Sequence, residues 1–164
     1  MTKIDESHWL VRATCVLLGA GAVLGIIVGF SAMGGPQSGS AVLYAIAVLM
    51  YLAIGAAAVG LWFGEELGLQ WTRLLLLVQV PVVQSANFSY LFYTGAVGLL
   101  YGGSKFGLQG LVGSAFTLSI RPGAPSDGGY IVGANLLAGA MLVMLCRVDL
   151  MPPLQPPPLP QEHA

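Results

Sequence analysis

The sequence predicts an all-α membrane protein, a bundle of four transmembrane helices with a small Gly-rich extracytoplasmic insertion between the third and fourth. Three observations predict it. Only 8% of the 164 residues are charged, against about a quarter in an ordinary soluble domain. The mean hydropathy is +0.81, which also excludes intrinsic disorder, a state of low hydrophobicity. Apolar stretches recur four times, each near the ~20 residues a helix needs to cross about 30 Å of hydrocarbon. Six Lys/Arg and seven Asp/Glu are too few to cover the surface of a water-soluble globule of this size.

The first span covers 9–33 and follows the leader MTKIDESH. Asp5 and Glu6 in that leader, the length of the apolar run and the lack of a small-x-small cleavage site make it an uncleaved span rather than a signal peptide. A charge-free loop, GGPQSGS, leads to the second span, 41–63. The polar stretch GEELGLQWTR precedes the third, 74–101. The fourth covers 129–147, with Ser126 or Asp127 available as N-cap. Four spans place both termini on one side with Lys3, Arg12, Arg73 and Arg147, leaving Lys105 and Arg121 on the other. The excess of basic residues makes that side cytoplasmic and the membrane the plasma (inner) membrane. Trp9, Trp62 and Trp71 fall at the same interface, where aromatic belts sit, and Arg12 lies one turn inside, within snorkelling reach of it.

The insertion, 102–128, is Gly-rich. Phe106 and Leu108, then Phe116, Leu118 and Ile120, alternate with small or polar residues. That period of two reads as two short strands around a turn near Val112 and Gly113. A plain connecting loop and a re-entrant segment remain the alternatives. The tail, 151–164, carries six prolines and reads as an extended, disordered cytoplasmic end.

Motifs that carry chemistry are missing. Net charge is −1, which gives no basic footprint for nucleic acid. Cys15 and Cys146, with His8 and His163 in opposite tails, make no metal or disulfide pattern. Glu65 and Glu66 form an interfacial carboxylate pair with no acid–base partner in sequence reach. The segment 102–105 lacks the spacing of a phosphate loop. The expectation is therefore no catalytic residue, no cofactor and no metal.

Packing and polarity give the candidate positions. Gly21, Gly25 and Gly29 form GxxxGxxxG, a stripe that lets a neighbouring helix approach closely. On the third span, Gln79, Asn87, Tyr90 and Thr94 share one helical face. Polar side chains at membrane depth must turn toward protein or water. Pro81 predicts a kink, because it lacks an N–H and its ring meets the carbonyl of Leu77. Asn135, inside the fourth span, falls at a depth similar to Asn87 and is expected to hydrogen-bond with it across the bundle. The leading functional reading is a non-enzymatic accessory, scaffold or assembly subunit, its partners the lipid bilayer and another membrane protein or a second copy. The alternative is an oligomeric small-solute transporter, or a lipid- or small-ligand-binding protein, using that polar face with Asn135.

Overall fold

The computed structural model describes residues 4–33, 41–120 and 129–147. Two long apolar helices come first, α1 (Ile4–Met33) and α2 (Ala41–Trp62). A shorter helix, α3 (Glu66–Gln79), runs into four strands: β1 (Pro81–Gln84), β2 (Phe88–Gly103), β3 (Gly107–Ile120) and β4 (Ile131–Asn135). The last strand passes directly into α4 (Leu136–Cys146). The apolar parts of α1 and α2, Trp9–Ala32 and Val42–Trp62, are each long and apolar enough to cross a membrane. Val23, Ile27, Val42, Leu49 and Val59 lie exposed on their outer faces, far more apolar surface than a soluble monomer leaves in the open.

The all-α, four-span bundle is not what forms. The predicted third span, 74–101, is helical only to Gln79. Pro81 ends the helix rather than kinking it, and becomes the first residue of β1. Beyond it Val82 and Val83 are β-branched, and glycines at 95, 98, 102 and 103 each weaken a helix relative to alanine. The predicted fourth span, 129–147, divides into β4 and an 11-residue helix, about 17 Å long and too short to cross on its own. The N-cap of α4 is Asn135, whose Oδ1 accepts from the Ala138 N–H at 3.2 Å. Ser126 and Asp127 lie outside the described residues, as does the 151–164 tail. Within the insertion, β3 is one continuous strand, and the turn falls between Gly103 and Gly107 instead of at Val112 and Gly113.

The sheet has one unusual feature, which follows from its pairing. β1 runs antiparallel to the start of β2, with Val83 opposite Tyr90 and Gln84 opposite Ser89. β1 is also antiparallel to β4, and β4 is antiparallel to the far end of β2, Leu99–Gly103. Three straight strands cannot all be antiparallel to one another around a ring. β2 therefore reverses direction between Tyr90 and Leu99. Gly95 lies in that interval with φ +84°, a conformation that costs glycine little and other residues more. Its ladder partner on β3 is Gly113, at φ +140°. The long β2–β3 hairpin doubles back at this glycine pair, and β1 and β4 bridge its two arms.

The two faces of the doubled hairpin then divide the core. Tyr90, Phe92 and Phe116 face the helices, where Phe92 is wholly buried against Tyr51 and Phe116, both ring centroids at 5.7 Å. Tyr93, Val97 and Leu99 face the hollow of the bend, packed with Val82 from β1 and flanked by Leu91, Tyr101 and Ala115. Gly21 of α1 sits on the outside of the bend. A Cβ there would fall on the backbone of Thr94 and Gly95.

Candidate functional site

The hollow of the bent sheet is a cleft of about 310 Å³. At ~30 Å³ per water, it holds a ligand the size of about ten water molecules. The sequence alternates along β2 and β3, so one side chain in two points inward. Val82, Tyr93, Val97 and Leu99 make a buried apolar cluster beneath it. Gln84, Ser89, Gln109, Thr117 and Lys105 line it with polar atoms, and Lys105 is the charged side chain among its described lining. Gln84, Ile131 and Gly103 fall in one row of the ladder. The turns after β1 and after β2 are therefore at the same end of the sheet, and the polar residues near them form the mouth. The chemistry of the lining suits an amphipathic molecule whose polar end is neutral or anionic.

Below the sheet, where helices give way to strands, three polar side chains are buried in one layer. Along α1, Gly21 is twelve residues from Trp9; along α3, Gln79 is thirteen from Glu66; along α4, Asn135 is twelve from Arg147. At 1.5 Å per residue these are all rises of about 18–20 Å. Gln79 Oε1 accepts the Thr94 N–H at 3.0 Å. Asn135 Oδ1 accepts the Gly98 N–H at 3.4 Å as well as capping α4. Both bonds satisfy β2 backbone groups near the reversal, which a regular ladder leaves without partners. Gln79 Nε2, Thr94 Oγ1 and Asn135 Nδ2 are buried without a hydrogen-bond partner.

The other predicted positions fall as follows. Tyr90 donates its hydroxyl to the Val78 carbonyl at 2.6 Å, closing the C-terminal end of α3. Asn87 is exposed in the turn between β1 and β2, away from the buried layer, so the expected Asn87–Asn135 bond does not form. A helical wheel puts Asn87 on the inner face, but the chain there is a turn, where 100° per residue has no meaning. Gly25 faces the Tyr51 ring and Gly29 faces Val48, both on α2, while Gly21 serves the sheet. Glu65 and Glu66 are exposed, with Gln70 Nε2 donating to Glu66 Oε1 at 3.2 Å. Cys15 is buried, Cys146 is exposed, and both are free thiols. Among the described residues no group of three His, Cys, Asp or Glu is placed to hold a metal.

Sequence reasoning missed the cleft residues Ser89, Lys105, Gln109 and Thr117. Their signal was available in the period-two pattern around Phe106 and Phe116, which extends back into β2 once residues 88–103 are read as a strand.

The opposite end of the molecule gathers cations and indoles. Arg12 Cζ stands 5.6 Å from the Trp62 ring centroid, a cation–π contact that ties α1 to the end of α2. Arg73 donates from Nε and Nη2 to the Leu145 carbonyl at 3.2 and 2.6 Å. Trp9, Trp62 and Trp71 are exposed around them. Comparison of the chain with protein-family models, with curated proteins and with solved structures gives no match.

Proposed function

We propose that the protein is a non-enzymatic, membrane-embedded binding module. In this reading α1 and α2 cross the bilayer, and α3 and α4 reach part-way in from the same side. The doubled sheet completes the crossing and opens its cleft on the far side. The end with Arg12, Arg73, Arg147 and the three tryptophans is cytoplasmic by the positive-inside rule and the aromatic belt. Both termini are then cytoplasmic, in the plasma membrane, and the cleft mouth is extracytoplasmic. Backbone that is neither helix nor closed barrel survives at such depth where it is buried in protein or lines a cavity, and the cleft is such a cavity. The observation that carries the reading is the grading of that cleft, apolar at Val82, Leu91 and Leu99 and polar at Gln84, Gln109, Thr117 and Lys105. Its ligand class is a small amphipathic anion.

A Gln109→Cys variant in a Cys15→Ser, Cys146→Ser chain tests this with octanoate as probe. A membrane-impermeant thiol reagent is expected to label position 109 only from outside the cell, and octanoate to slow labelling several-fold and saturably. Adding Lys105→Gln weakens that protection. Labelling from the cytoplasmic side overturns the orientation, and indifference to octanoate overturns the ligand class.

A second reading, an assembly subunit, is favoured by β3. This strand pairs only with β2 among the described residues and forms an edge of the sheet. Phe106, Leu108 and Val112 beside that edge are 83%, 70% and 89% exposed. An unpaired edge flanked by apolar side chains is a template for another chain. Mass measurement of the detergent-extracted complex separates the two, since a binding module runs as a monomer.

A further inference from the structure

A second concavity lies on the helical side of the sheet, its upper end at Ala134, the ladder partner of Leu100 in the cleft, and its lower end at Arg147. Between α1 and α4 runs a groove of about 730 Å³. Leu10 of α1 and Val80 at the end of α3 wall it on one side, with Leu136, Ala140 and Val143 of α4 on the other. Gly139 forms part of the floor, and a Cβ there would meet nothing within 4 Å. Arg147 stands at the groove's end, at the C-cap of α4. From Arg147 to Leu136 the groove rises about 17 Å at 1.5 Å per residue. That matches the ~15 Å thickness of one leaflet's hydrocarbon.

The electrostatics at that end favour an anion. The last carbonyls of a helix carry partial negative charge that repels anions. Here Arg73 donates two hydrogen bonds to the Leu145 carbonyl, which offsets that charge and leaves the Arg147 guanidinium to set the local sign. An apolar trough one leaflet long with a cation at its interfacial end fits one molecular class.

We propose that this groove holds one acyl chain of an anionic phospholipid, with the lipid phosphate on Arg147. The site is independent of the cleft ligand and shares with it only the membrane placement. The contact closes the gap between α1 and α4 in the cytoplasmic leaflet.

The full chain in nanodiscs of equal phosphatidylglycerol and phosphatidylcholine, released into native mass spectrometry, tests the site. One retained phosphatidylglycerol is expected, about fivefold over phosphatidylcholine, the factor a single basic residue supplies against anionic lipid. Arg147→Gln is expected to bring that ratio to about one while a lipid is still retained. Gly139→Leu, whose Cβ enters open space and whose side chain fills the floor, is expected to abolish retention of both lipids with the melting temperature in lipid-free detergent unchanged. Equal retention of the two lipids by the parent chain overturns the proposal. So does a ratio that survives Arg147→Gln, or a second copy of the chain found in place of lipid. A chain that fails to enter the discs overturns the membrane placement itself, and this site with it.

Discussion

Replacing Gly21 by alanine should destabilise the protein, although the same change in an ordinary helix stabilises it by about 1 kcal/mol. A methyl at position 21 would stand 2.5 Å from Gly95 Cα and 2.8 Å from the Thr94 carbonyl carbon. Carbon atoms rest about 3.5–4.0 Å apart, so α1 must withdraw from the bend by about 1 Å. The atoms it meets are backbone at a strand reversal and have no rotamer to yield. Withdrawal also stretches the bond from Ser114 Oγ to the Gly21 carbonyl, now 2.6 Å, to the limit of a hydrogen bond. Overpacking costs about 1–3 kcal/mol and the bond about 1 kcal/mol. After the gain in helix propensity, the net loss is roughly 1–3 kcal/mol. Gly19, two residues earlier, is the control, since a Cβ there meets nothing within 4 Å. Gly19→Ala should be neutral or stabilising by up to about 1 kcal/mol. Thermal unfolding of the two variants in one detergent should separate their midpoints by roughly 2–16 °C, for a difference of about 1–4 kcal/mol at about 2–4 °C per kcal/mol in a chain of this size. If Gly21→Ala melts with Gly19→Ala, α1 does not cross the sheet at Gly95 and the reasoning fails.

Three further outcomes follow from the buried polar layer and the bend. Asn135→Ala removes the cap of α4 and the acceptor for the Gly98 N–H, and should lower stability by about 1–2 kcal/mol, with Asn135→Ser restoring part of the cap; equal melting of the parent and alanine forms would contradict this. Gln79→Leu keeps the volume but orphans the Thr94 N–H, at a cost of about 1–3 kcal/mol, measurable in the same unfolding assay. Gly113→Ala forces a positive-φ position onto alanine at a cost of about 1–2 kcal/mol, whereas Gly110→Ala on the same strand, with open space around it, should change little.

The helices that needed only apolarity and length were legible in the sequence. The structure's α1 and α2 end at Met33 and Trp62, against predicted ends of 33 and 63. Pro81 was legible as a disruption but read as a kink inside one helix, whereas α3 ends before it and β1 begins with it. What was not legible was the conformation after it, because a run such as FSYLFYTGAVGLL satisfies an apolar count whether it is coiled or extended. The deciding term is pairing. Leu100 meets Ala134 and Phe92 meets Phe116, contacts over 34 and 24 positions that no local window contains. Gly95 and Gly113 read singly as helix weakeners, and their roles emerge only when the register sets them opposite each other.

The candidate site was partly legible for the same reason. Gln79, Thr94 and Asn135 stood out as polar residues in apolar surroundings, and all three are buried. That reasoning depends on composition and holds for any fold. The partners assigned to them depended on a helical wheel. With Asn87 in a turn, Gln79 serves the Thr94 N–H and Asn135 serves Gly98. The cleft depends wholly on the reversal of β2, and a four-helix reading contains no such surface.

The reversal of β2 is the central claim, and one distance tests it. Ser89 pairs with Gln84, Val83 with Val132, and Val132 with Gly102, so Ser89 and Gly102 are three ladder steps and one residue apart. At ~4.8 Å per step that is about 15 Å between their Cα atoms. A straight strand would separate them by about 43 Å, at 3.3 Å per residue, and a helix by about 20 Å, at 1.5 Å per residue. Dipolar spectroscopy on spin labels at Ser89→Cys and Gly102→Cys, in a chain without Cys15 and Cys146, is predicted to give a single narrow distance near 15 Å, and a distance near 43 Å or a population centred on 20 Å would contradict the account.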